Sequence, residues 1–69
     1  MTDLSTVSTE LSALLGSMPN LATPAVERAD WFDRKADVLD RVALTVPEAA
    51  ELATSARDRA TRIRAGGAA

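Results

Sequence analysis

Apolar residues recur every three or four positions along most of the chain, and the breaks in that rhythm fall around prolines. Leu4, Val7, Leu11, Leu14 and Met18, with Leu15 alongside, form one stripe of ~100°, the width with which a surface helix docks on a core. The pattern predicts a helix over about residues 3–17, with Asp3 as N-cap. Pro19-Asn20 ends it, because proline lacks the N–H donor and biases the preceding residue away from helical angles.

A second pattern predicts a helix over 24–44. Thr23 is placed to cap it, and Pro24 to occupy its first position, where a fixed φ helps and a missing N–H costs nothing. A third helix is expected over 47–65, with Thr45 and Glu48 in the capping-box spacing. Gly66-Gly67 supplies its stop, and arginines in the last turns suit the negative end of its dipole. No apolar run alternates as a strand would. The expectation is an all-α, up-down-up three-helix bundle, one domain over residues 1–65, with 66–69 as a flexible tail.

The second helix is the informative one. On a wheel centred at Phe32, residues Ala36, Leu39, Ala43 and Val46 fall within ~40°. Trp31, Val38 and Val42 form a second stripe to one side, so about half the circumference is apolar. That suits a helix touching both others, with Phe32 in the core and Trp31 along a seam, its N–H toward water. The same stripe also suits an anchor for another chain, since tryptophan is enriched at interface hot spots. Lys35 lies between the stripes, where its stem can cover apolar surface and its ammonium can approach the Trp31 ring. Across the wheel, Asp30–Arg34 and Asp37–Arg41 stand acid-before-base at i,i+4. The segment "DRKADVL" is echoed seven residues later by "DRVALTV", a heptad period within one helix. The third helix offers Ala49, Leu52, Ala53, Ala56, Ala60 and Ile63. With so many alanines it is expected to be the least firmly held, or to be held by more than its own chain.

Size sharpens that expectation. A chain of 69 residues buries only ~60% of the surface its unfolded form exposes. A core that small rarely contributes more than about 3–5 kcal/mol. With no cysteine and no histidine, disulfides, thiolate or imidazole metal sites, an imidazole base and a thiolate nucleophile are all excluded. The serines lie in helical contexts with no nucleophile-elbow pattern, and there is no glycine-rich phosphate loop. Asp33 and Asp40, at i,i+7, are too far apart to share a proton. No enzyme, cofactor, metal or small-molecule substrate is expected. The chain carries neither the phosphopantetheine serine motif of carrier proteins nor the Trp-x-Gly turn of small secreted hairpins. The Leu4–Leu15 stretch is too short and too rich in Ser and Thr to span a bilayer, and no basic segment precedes it. A cytoplasmic protein with no membrane partner is expected, and the bias toward arginine and alanine suggests a GC-rich bacterial genome.

Charge is uneven within a net −2: residues 1–56 carry nine acids and four bases, residues 57–69 four arginines and Asp58. Arg57, Arg59, Arg62 and Arg64 raise the alternative of a small DNA-associated regulator, because phosphate contacts dominate such affinity. They flank the apolar stripe of the third helix on two rims, however, and do not form one basic face. The leading expectation is therefore a non-enzymatic protein-interaction module, itself among its partners as a homo-oligomer. Its candidate contacts are Trp31, Lys35, Val38 and Val42, with Arg59 and Arg62 as charged rim residues.

Overall fold

The computed structural model describes residues 4–66, so Asp3 and residues 67–69 of the expected tail lie outside it. The chain is an all-α, up-down-up three-helix bundle of α1 (Leu4–Gly16), α2 (Ala25–Val42) and α3 (Ala49–Arg64). The expected boundaries hold to within two residues.

The caps differ from expectation. Pro24 is the N-cap of α2, extended at φ −55° and ψ 147°, and its side chain caps nothing; its carbonyl accepts the first helical bond, from the Arg28 amide at 3.0 Å. Thr23 is used one turn earlier. Its Oγ1 accepts from the Asn20 amide (3.0 Å), while Asn20 Oδ1 accepts from the Ala22 amide (2.8 Å). This side-chain-supported turn reverses the chain between α1 and α2. At α3 the Thr45–Glu48 capping box does not form: Glu48 is the N-cap with no side-chain bond. The first amides are served by tight i→i−3 backbone bonds, Ala49 to Val46 and Ala50 to Pro47, each 3.0 Å, a recurrent solution at helix ends. The stop at the other end is as expected. Gly66 has φ +81°, the left-handed conformation that glycine adopts without a Cβ penalty.

The layer is flat, 36 × 22 × 14 Å along its principal axes. Helix α2 lies in the middle, packed on α1 along one side and α3 along the other, and α1 and α3 do not meet among the described residues. The reason is in the side chains. On the α3 side the seam is made of alanine: Ala36 of α2 with Ala53 and Ala56 of α3 form the buried cluster, and Phe32 and Leu39 pack against its edge. Ala29, Ala49 and Ala60 are buried as well. Small residues let two backbones approach closely, so α3 is held tightly despite burying little area per residue. Within the described chain, α3 packs on α2 more extensively than α1 does, although its alanines suggest the least firmly held helix or one held by more than its own chain. On the other side Val7 and Leu14 of α1 are buried, as are Trp31 and Val38 of α2, but Leu15 and Met18 stay mostly exposed. Of the two outer helices, α1 packs on α2 the less extensively.

Candidate functional site

Two faces of this layer differ in chemistry, and the difference is set by register on α2. One face is a lattice of ion pairs. Arg57 of α3 bonds Asp37 at 3.2 Å and also Asp40, and Arg64 bonds Asp30 at 2.8 Å and Asp33 at 2.6 Å. Each arginine is held between two carboxylates one turn apart, and the two clamps repeat at seven residues on both antiparallel helices. On the α1 side, Arg41 pairs with Glu10. The Asp30–Arg34 and Asp37–Arg41 pairs expected within α2 do not form; both acids reach across to α3 instead. A guanidinium fork can take two carboxylates at once, which the single i,i+4 neighbour cannot offer. The hydrogen bond from Arg57 holds Asp40 below the usual carboxylate range, and the same bond raises Arg57. Asp33, then Asp30, raises Arg64 in the same way.

The opposite face is apolar with a basic rim. Phe32 and Leu39 of α2 and Leu52 of α3 form a shallow groove bordered by Lys35, Arg59 and Arg62. Leu52 is 59% exposed. The Arg59 guanidinium lies 5.3 Å from the Phe32 ring centroid and the Lys35 ammonium 5.9 Å from it, within reach of cation–π attraction. None of these three cations makes an ion pair among the described residues, in contrast to Arg41, Arg57 and Arg64. Every aspartate of α2 is engaged on the other face, so none is left to neutralise this rim.

The expected contact residues are thus divided. Lys35, Arg59 and Arg62 come together at the groove. Val42 is half-buried further along α2. Trp31 and Val38 are each 5% exposed and belong to the α1–α2 seam. The indole N–H of Trp31 is not turned to water; it donates to the Leu14 carbonyl at 2.9 Å. The Trp31 ring meets Phe32 edge-on, with centroids 5.1 Å apart at 89°, and Lys35 sits 5.7 Å from its centroid. From the α1–α2 seam the tryptophan thus touches Phe32 and lies beside Lys35, two residues of the groove. Phe32 and Leu39, which periodicity places in the core, do pack on its edge and from there line the groove, whereas Leu52, expected on the inner face of α3, is mostly exposed. The signal that separates groove from core is that an open layer leaves a middle helix covered on two sides only. Among the alternative phosphate-binding arginines, Arg57 and Arg64 are tied to carboxylates, which leaves Arg59 and Arg62 on the other rim.

No helix among the described residues is long and apolar enough to cross a membrane. Compared with family models, with curated proteins and with solved structures, the chain matches none.

Proposed function

We propose that this chain is a non-enzymatic helical module that works by binding another protein through the Phe32–Leu39–Leu52 groove, in the cytoplasm of a bacterial host. The observation carrying the reading is the uncovered arc of α2 between its two packing seams. Phe32 and Leu39 are only partly buried there, beside a largely exposed Leu52. A contiguous apolar surface with a polar rim is the usual composition of a docking site. On the ion-paired face the same helix presents Asp30, Asp33, Asp37 and Asp40 already engaged by arginines of α3, with no exposed large apolar side chain between Asp30 and Asp40 along α2.

A photoreactive benzoylphenylalanine at position 52, in the groove, or at position 54, on the far side of α3, tests this in the native host. The expected result is a discrete cross-linked protein from position 52 and none from position 54. No cross-link from either position, or equal labelling from both, overturns the reading. Sedimentation equilibrium at micromolar concentration separates self-association from capture of a different chain.

A further inference from the structure

Resting on that reading, we infer that the partner presents an acidic amphipathic helix, with apolar residues for the groove and carboxylates for its rim. Three features of the groove point to this chemistry. First, its floor is a line of large side chains, Phe32 and Leu39 on α2 beside Leu52 on α3. A helix laid between two antiparallel helices meets such a floor with residues at i, i+3, i+4 and i+7. Second, Lys35, Arg59 and Arg62 border that floor, and no carboxylate of the described chain pairs with them. Arg41, Arg57 and Arg64 are neutralised by carboxylates that reach across between helices. The rim cations, like Arg28 and Arg34, are not, but they alone border the Phe32–Leu39–Leu52 floor, where a partner's acids can meet them. Third, a second copy is a poor occupant. A two-fold contact sets each patch against itself, which would bring Lys35, Arg59 and Arg62 against the same cations, and like-charge juxtaposition disfavours wrong partners. Duplex DNA fits poorly for a different reason: an apolar floor makes no phosphate contacts, and phosphate contacts supply most such affinity.

The test uses two fluorescein-labelled amphipathic peptides of about 20 residues with leucine at the groove-facing positions. One carries glutamate on its flanks and the other lysine. Anisotropy titrations with the full chain are expected to favour the glutamate peptide by about tenfold, the effect of turning a few rim pairs from attraction to repulsion. The double variant Lys35→Glu with Arg59→Glu, its helicity checked by circular dichroism, is expected to reverse the preference. Equal binding of the two peptides by the unmodified chain overturns the inference, as does a preference that survives the double substitution. So does a concentration-dependent dimer that excludes both peptides, or binding of duplex DNA that the double variant abolishes. If neither peptide binds while the cross-link at position 52 still forms, the partner chemistry is wrong and the docking reading stands. Loss of the cross-link as well removes both.

Discussion

Leu14 sits near the end of α1, where carbonyls lose their intrahelical donors, and three donors converge on its oxygen. The Ser17 amide donates at 3.2 Å and the Trp31 indole at 2.9 Å, while the Ser17 hydroxyl shares its one proton between the Leu14 carbonyl at 3.2 Å and the Ala13 carbonyl at 3.1 Å. Tryptophan here supplies a hydrogen bond that finishes one helix as well as apolar bulk that joins two. Trp31→Phe keeps most of the bulk and loses the donor, so it should cost about 1–2 kcal/mol, read as a lower urea midpoint at unchanged slope. Trp31→Ala should cost about 3–5 kcal/mol, comparable to the whole margin of so small a core, and leave the chain largely unfolded. An unaltered midpoint for Trp31→Phe would mean that Ser17 alone satisfies the carbonyl. For this reason Trp31→Ala is a poor probe of binding. The sequence placed Trp31 on the correct stripe of its helix. It could not reveal the acceptor, which lies 17 residues earlier and becomes one only because α1 ends at Gly16.

At the scale of the helix, the aspartates of α2 act in pairs. Asp37 and Asp40 hold Arg57, and Asp30 and Asp33 hold Arg64. Asp40 ionises below its ordinary value of 3.8 because Arg57 donates to it. The folded form thus releases this proton at lower pH than the unfolded chain. The resulting stability is fully present above about pH 4 and fades as pH falls through the lower, folded value. Thermal unfolding followed from neutral pH down to about 2 should show Asp40→Asn with a shallower acid loss than the unmodified chain. In about 1 M salt the two curves should converge, since exposed pairs are screened. Parallel curves at low salt would mean the Asp40–Arg57 bond does not persist in solution. The seven-residue echo that begins at Asp33 and again at Asp40 was the readable trace of these clamps. Periodicity alone could not say whether the acids serve their own helix or the next. The helix ends were likewise readable to within two residues, whereas the caps were not. Thr23 and Thr45 stand at capping positions by spacing, but the turn at Asn20 and the tight backbone bonds before α3 use those positions differently.

Over the whole molecule the load is distributed unequally. The α2–α3 pair shares an alanine seam and two arginine clamps, while α1 is held through one side of α2 by Val7, Leu14 and the Glu10–Arg41 pair. Amide hydrogen exchange under native conditions should therefore show α1 opening at lower free energy than α2 and α3. Equal protection in all three helices would indicate a single cooperative unit. That the fold is helical and three-membered follows from periodicity and proline placement. That it is an open layer does not, because a half-apolar helix fits equally well in the middle of a closed bundle.

The separation of α1 from α3 has a kinetic corollary. Among the described residues every pair of packed helices is adjacent along the chain, so packing is rewarded without first joining distant elements. Proteins dominated by such local pairings reach the native state in microseconds to milliseconds, and this one can assemble by zipping outward from its middle helix in either direction.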